Sequence, residues 1–418
     1  MQFRKIISSS LSPNTQVDDV REAIRVLFNP MSWQRGGVVD KIENWFKNYF
    51  ETSTTVSFDS GRSALLAILQ AFAIGHGDEV LMQAFTCVAV PNSVRWVGAT
   101  PVYVDIDESF NINLKDLKKK ITKQSKAIIV QHTFGIPAQM DAIVQFAKVN
   151  NLLVIEDCAH SLGATYNHRK IGTLGDAAFF SFGRDKVVSS VWGGMATISQ
   201  KSPPKADQPM AENAKFKLKK VQEDLSYPSR GWIVQQLFHP LVFAAVLPTY
   251  NIALGKALLE IVKQSGLISV PVYEVEKRGQ RPLFMPKRYP NALAQLLAIQ
   301  LTKLERYNDQ RRRIASYYWG MLKSRKDIIV PKFDTEGVYL RFPILVEDQG
   351  TLTRQAKQQG VLLGNWYQHV IDPKGVDLSL IGYSQGSCPR AEDAAQRIIN
   401  LPTLISQHDA QQIISLIP

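Results

Sequence analysis

The chain has 418 residues, 45% of them hydrophobic and 21% charged, with a formal net charge of +12. Such a composition excludes a disordered or fibrous chain and describes a globular protein, with room for two or three domains or one large α/β domain carrying a smaller one. Three scattered cysteines (Cys87, Cys158, Cys388) with no CxxC pair argue against a disulfide framework or a metal site and suit a reducing cytoplasm.

The N-terminus, MQFRKIISSS, has no apolar signal-peptide core, so a cytoplasmic protein is expected. The basic charge favours anionic partners. No stretch interleaves Lys/Arg with aromatics in the manner of a nucleic-acid binder. From about residue 53 to 200 two textures alternate. VLMQAF (80–85), PVYVDI (101–106), AIIVQHTF (127–134), LLVIED (152–157), AAFFSF (177–182) and GMATIS (194–199) read as strands. SALLAILQAFA (63–73), VAVPNSVRWVG (88–98) and MDAIVQFAKVNN (140–151) read as helices. Strand, helix, strand predicts a mostly parallel sheet covered on both faces, with ligands bound beyond the carboxyl ends of its strands.

Residues 201–288 change character. The loop-like KSPPKADQPM leads to a basic helical patch with Lys215, Lys217, Lys219 and Lys220, then to an apolar stretch at 232–268. Its run at 241–247 stands between Pro240 and Pro248 and is shorter than the roughly 20 residues of a bilayer span. Two readings of 232–268 stand: a buried helical hairpin covering a dimer, or an interfacial element touching anionic membrane. From 291 the spacing predicts one long amphipathic helix, then a strand in VYLRFPILV and a small α+β domain. The expected division is 1–290 for the large domain and 291–418 for the connecting helix and small domain.

Three polar sites fall in loops of the sheet region. SFDSGRSALL (57–66) runs from a strand end through a Gly/Ser turn into a helix. A helix N-terminus suits phosphate, and simple capping by Ser60 or Ser63 explains the same residues. VIEDCAHSLGA (154–164) ends an apolar strand in two acids, with His160 just beyond. A buried carboxylate there needs a cation or donors; the alternative is a capping Asp157 and a satisfied core His160. FFSFGRDKVVSSVWGG (179–194) presents Lys186 just past a strand. A desolvated lysine forms imines with carbonyls, whereas a lone lysine is ordinarily a solvated charge. Imine-forming lysine, carboxylate and phosphate cradle are together the parts that hold pyridoxal phosphate, the carboxylate keeping the pyridine nitrogen protonated.

The same stretches carry a family resemblance. SGRSAL (60–65), GHGDEVLMQAFTCVAVPNSV (75–94), GATPVYVDID (98–107), HTFGIPAQMDAI (132–143), VIEDCAHSLGA, GTLGDAAFFSFGRDK (172–186) and GGMAT (193–197) follow one another in order. ALAQLLAIQLTKLERYNDQRRRIASYY (292–318) and CPRAEDAAQRIINLPT (388–403) continue it. The chain resembles the DegT/DnrJ/EryC1/StrS family of sugar aminotransferases. The resemblance implies the α/β architecture of PLP fold type I: a large domain with a mostly parallel sheet plus a smaller α+β C-terminal domain. It implies amino transfer from glutamate or glutamine to a keto-sugar, nucleotide-linked, through Lys186. Other readings are a PLP-dependent sugar dehydratase or lyase, and a PLP-binding regulator without catalysis. Some family members carry His in place of the lysine and dehydrate; Lys186 favours transamination.

By the same resemblance, Lys186 is the Schiff-base lysine and proton shuttle, Asp157 the partner of the pyridine nitrogen, and His160 a neighbour of the phenolic oxygen. Ser181, Gly61 and Ser63 match phosphate ligands. Arg288 matches an arginine reaching the neighbouring subunit's site, which implies a homodimer with shared active sites. The usual Thr of the phosphate turn is Arg62, still able to bind phosphate. The usual ring-stacking aromatic is Cys87, with Phe85 as candidate substitute, and a usual Asn is Pro286. His132 is a candidate near the substrate or a packed strand-end histidine. Trp366, Tyr367 and His369 are candidates for the substrate pocket, with core packing favoured for Trp366.

Overall fold

The computed structural model describes residues 6–52, 54–199, 208–250 and 254–417. Among them, seven strands form the central sheet, labelled β1 to β7 in chain order: Thr54–Phe58, Glu79–Gln83, Thr100–Val104, Ser125–Gln131, Leu153–Asp157, Ala177–Ser181 and Gly194–Ile198. Their order across the sheet is β1-β7-β6-β5-β4-β2-β3. The run from β6 to β3 is parallel throughout, and only β7 opposes its neighbours β6 and β1. The sheet is therefore mostly parallel, as the alternating pattern predicts. Most strands end a little before the apolar runs do, because the chain there leaves the ladder for the loops that carry the site.

Side-chain alternation splits the sheet's residues between two cores. Leu81, Val104, Ile128 and Val130 face helices Val38–Phe50, Met140–Val149 and Asn291–Leu301. Val80, Met82, Tyr103 and Ile129 face helices Gly61–Ala71, Ala89–Trp96 and Pro389–Arg397. Burial on both faces is why the strands read as near-continuous apolar runs. A further core joins Tyr318, Phe342, Ile344, Ile399 and Ile413 around the antiparallel pair Arg341–Leu345 and Ile398–Pro402. Ile7 belongs to it, because Ile7–Ser8 pairs in parallel with Val361–Leu362.

Two expectations need correction. The single helix expected from 291 is two, Asn291–Leu301 and Leu304–Leu322. At the break, Lys303 is 5% exposed and donates to Asp18 at 2.6 Å and Asp19 at 2.9 Å, tying the chain to helix Val17–Leu27. Nor do the prolines bound the apolar segment: helix Arg230–Thr249 runs straight through Pro240. Among the described residues it is the one helix long and apolar enough to cross a membrane. Its Val242, Phe243 and Val246 pack on Leu259 and Val262 of helix Leu254–Gln264, forming the helical hairpin. Leu254 and Ile261 point outward at 61% and 63% exposure. The basic patch lies on helix Gln208–Glu223; most of KSPPKADQPM lies outside the described residues.

Candidate active site

Asp157 ends β5 and Ser181 ends β6, both at carboxyl ends of parallel strands. Lys186 follows in a loop whose backbone is pinned from outside. Asn14 Nδ2 donates to the carbonyls of Lys186 at 2.7 Å and Val187 at 3.0 Å, and Arg311 Nη2 donates to Val187 at 2.9 Å. Lys186 Nζ lies 4.7 Å from the centroid of the Trp366 ring. Burial pushes its pKa down; the neighbouring Cys87 and Asp157 oppose that shift, and Arg341 adds to it. A lowered pKa favours the free amine, the form that attacks carbonyls.

The two acids of VIED have separate fates because successive strand residues face opposite sides. Glu156 Oε1 accepts from Leu174 N at 2.7 Å and Gly175 N at 2.8 Å; Oε2 accepts from Gly172 N at 2.9 Å and faces His132 Nε2 at 3.3 Å. His132 Nδ1 accepts from Ala138 N at 3.1 Å. His132 is thus a packed strand-end histidine. Cys158 lies within reach of this pair, but the pair's lone pairs are already spent on the protein, which leaves nothing for a metal. Asp157 is buried with a single short-range donor, Ala159 N at 3.0 Å. Burial raises its pKa, tempered by that bond, Lys186 and His132.

His160 is 2% exposed. Its Nδ1 accepts from Phe134 N at 3.2 Å, so the neutral ring carries its proton on Nε2, which faces Tyr367 Oη at 3.3 Å. Burial holds its pKa well below the usual value. The ring lies nearly parallel to Trp366, 14° apart at 5.2 Å.

The turn at 59–63 is shaped by glycine. A Cβ on Gly61 would lie 2.9 Å from Ser181 Cβ, and one on Gly194 would lie 2.4 Å from the Ser60 carbonyl. Their absence brings the helix start, Ser181 and β7 together. Ser60 caps helix Gly61–Ala71, accepting from Ser63 N at 3.2 Å. Beside it Asp59, 1% exposed, has Oδ1 without a partner, and burial pushes its pKa up to about 6.

Several expected residues lie elsewhere. The Arg62 guanidinium turns to the insertion, where it pairs with fully buried Glu276, donates to Pro271 O and stacks over Trp192. A buried carboxylate demands a cation, so this arginine is spent on Glu276 and not on the phosphate turn. Phe85 is fully buried among Phe110, Phe134 and Tyr367, a core position, while Cys87 is half-buried at the site with its thiol pKa raised by burial. The aromatic ring beside the Lys186 amine is Trp366, which lines the site and, half-buried, also packs against both sheet cores. Tyr367 is buried next to it; His369 is exposed. Arg288 stacks over Tyr227 at 5.2 Å, and its backbone bridges to Phe58 at the end of β1.

Sequence reasoning missed Asp185, Arg341 and Asp372. Asp185 is half-buried next to Lys186, Arg341 is buried against Trp366, and Asp372 is half-buried in register with Cys87, its pKa pushed up to about 7 by burial. A signal existed for Arg341: one charge inside the apolar strand VYLRFPILV.

A model of the DegT/DnrJ/EryC1/StrS aminotransferase family matches residues 14–208 and 277–417. The gap falls on the insertion. GDP-perosamine synthase of Escherichia coli O157:H7 is 40% identical over 171 residues, 40% of this chain and 46% of that protein. The alignment therefore spans less than half of that relative. A pleiotropic regulatory protein of Geobacillus stearothermophilus is 29% identical over 399 residues, 94% of this chain and 91% of that one. Among solved structures, Escherichia coli GDP-4-keto-6-deoxy-D-mannose-3-dehydratase with bound hydrated PLP superposes with a TM-score of 0.74, covering 100% of both chains at 18% identity. That likeness establishes the fold.

Proposed function

The chain belongs to the DegT/DnrJ/EryC1/StrS aminotransferase family, and from that premise we propose that it moves an amino group from glutamate or glutamine to a nucleotide-linked keto-sugar, with pyridoxal phosphate as cofactor. The observation that carries this reading is the Lys186 amine, buried and shifted toward neutrality within electrostatic reach of the buried Asp157.

The residues fit the cofactor. Gly61, Ser63 and Ser181 crowd together at a helix N-terminus where a phosphate is favoured. Asp157 keeps a carboxylate for a protonated ring nitrogen. Once bound, pyridoxal phosphate supplies the electron sink. Lys186 Nζ is the group positioned to take a proton from the substrate carbon and return it. His160, neutral with its proton on Nε2, offers a donor without adding charge. Trp366 and Tyr367 stand beside His160, with the Trp366 ring also against the Lys186 amine.

Lys186 weighs against the dehydratase reading, since His occupies that position in the dehydrating members the sequence resembles. The regulator reading falls if any donor yields amino transfer. The absorption spectrum of the purified protein, taken before and after glutamate beside Lys186→Ala, tests the proposal. Bleaching of the cofactor band by glutamate in the wild type alone supports it; a band that no donor changes sinks it.

We also propose a cytoplasmic homodimer with shared sites. The reading rests on the match of Arg288, stacked over Tyr227, to the family arginine that reaches the neighbouring subunit's site. A monomeric mass by light scattering would count against it. Packing of the two helices favours the buried-hairpin reading of 232–268, and the outward Leu254 and Ile261 beside Lys256 and Lys263 support the alternative of membrane contact. Equal recovery with and without anionic liposomes in flotation would exclude it.

A further inference from the structure

Arg341 is a buried cation with no anion in hydrogen-bond contact; Asp185 and Asp372 act on it only through space. It is 1% exposed, and no ion pair among the described residues includes it. Its one hydrogen bond runs from Nη1 to the neutral Asn400 Oδ1 at a long 3.5 Å, while Nε and Nη2 have no partner. Asp185 tempers its charge more than any other group, yet Asp185 Oδ1 is itself unpartnered. The other fully buried arginine shows what a structural role looks like. Arg311 donates from Nη1 to Asn308 at 3.0 Å and from Nη2 to Asn14 at 3.2 Å and Val187 at 2.9 Å.

The two unspent nitrogens are not a random pair. Nε–H and Nη2–H lie on one edge of the guanidinium and point the same way, the fork that grips both oxygens of a carboxylate. The face of the group is already used: its Cζ lies 3.5 Å from the Trp366 ring centroid. Stacking fixes the plane and leaves the in-plane donors open. The same indole touches the Lys186 amine at 4.7 Å. An α-amino acid bears its carboxylate on the carbon that carries the amine. An anchor for that carboxylate must therefore lie within a few ångströms of the amine's destination.

We propose that the Nε/Nη2 edge of Arg341 is the subsite for the α-carboxylate of the amino donor, with the Trp366 ring as the platform that holds the fork in plane. This rests on the aminotransferase reading for the identity of the ligand, not for the presence of a carboxylate site. An amino sugar has no such group, so the anchor serves the donor half of the cycle alone.

The test uses the cofactor-loaded protein and glutarate, a dicarboxylate without an amine, in titration calorimetry. Arg341→Met is expected to weaken glutarate binding and raise the KM for glutamate by about 10- to 100-fold, the worth of charged hydrogen bonds lost, with kcat less affected. Arg341→Lys keeps the charge without the planar fork and should recover part of the affinity. Without ligand, Arg341→Met should melt no lower than wild type, because an unpaired buried charge is removed; a structural arginine would lower it. Should the Met variant fail to fold, the Lys variant carries the comparison. Unchanged glutarate affinity in the variants overturns the subsite, as does a wild type that binds no glutarate. Arg341-dependent binding without any amino transfer keeps the subsite and sinks the aminotransferase reading instead.

Discussion

The two walls of the site are built in opposite ways. The sheet wall, Asp157, His160, Ser181 and Lys186, stands on strand ends and the loops directly after them. Much of its scaffold is spent on the protein: four contacts hold Glu156, and Asn14 and Arg311 hold the backbone at Lys186 and Val187, while Asp59 Oδ1 and Asp185 Oδ1 stay without partners. The far wall, Arg341, Trp366 and Tyr367, arrives from the C-terminal part and keeps the Nε and Nη2 of Arg341 unspent. Saturated groups hold shape; unspent buried groups await a ligand, because an orphan donor or charge is costly unless something binds it.

The largest effect expected is at the boundary of the walls. Lys186→Ala should lower amino transfer by at least about 10²–10⁴-fold, the share of proton transfer alone, read by product formation. Retained turnover would remove Lys186 from the chemistry and dissolve the comparison.

The neighbouring acids of β5 sharpen it. Asp157→Asn should fold normally and lose about 10²-fold in amino transfer, as when one preorganised electrostatic partner is removed. Glu156→Gln should lose about 3 kcal/mol of stability, because three backbone donors and His132 share one carboxylate. Its activity per folded molecule should survive. Denaturant melts beside activity assays decide; equal stability losses would mean that saturation does not separate scaffold from chemistry.

Gly194→Ala places a methyl 2.4 Å from the Ser60 carbonyl. Overpacking there should cost about 1–3 kcal/mol and loosen the cofactor, seen as faster loss on dialysis. The last effect is a pH slope, absent at low pH. Asp59 is an acid whose folded pKa is raised to about 6. The folded state therefore holds its proton longer than the unfolded state, and stability falls as pH rises from about 4 to about 6, then levels. Asp59→Asn should match wild type near pH 4 and exceed it by up to about 3 kcal/mol at pH 8. Parallel melting curves across that range would show that the carboxylate is not desolvated.

Much of this was legible in the residues. The strands, the phosphate turn, Asp157 and Lys186 follow from patterns a few residues long: apolar runs, a Gly/Ser turn, acids and a lysine at strand ends. Such features depend on local geometry, which a chain carries wherever it folds. Arg62 read as a phosphate contact because its partner, Glu276, is 214 positions away. Trp366 read as core and does pack against both sheet cores, but apolarity does not say that its ring also meets the Lys186 amine. Periodicity continued across 302–303, and only the pairing of Lys303 with Asp18 and Asp19 marks the break.

The sequence by itself determined the sheet, its cofactor-facing edge and the lysine, because strand periodicity and turn chemistry are local. Tertiary structure alone decided which charges are satisfied. Whether a guanidinium meets a glutamate, as Arg62 does, or is left open beside an indole, as Arg341 is, depends on contacts between distant segments that no spacing encodes.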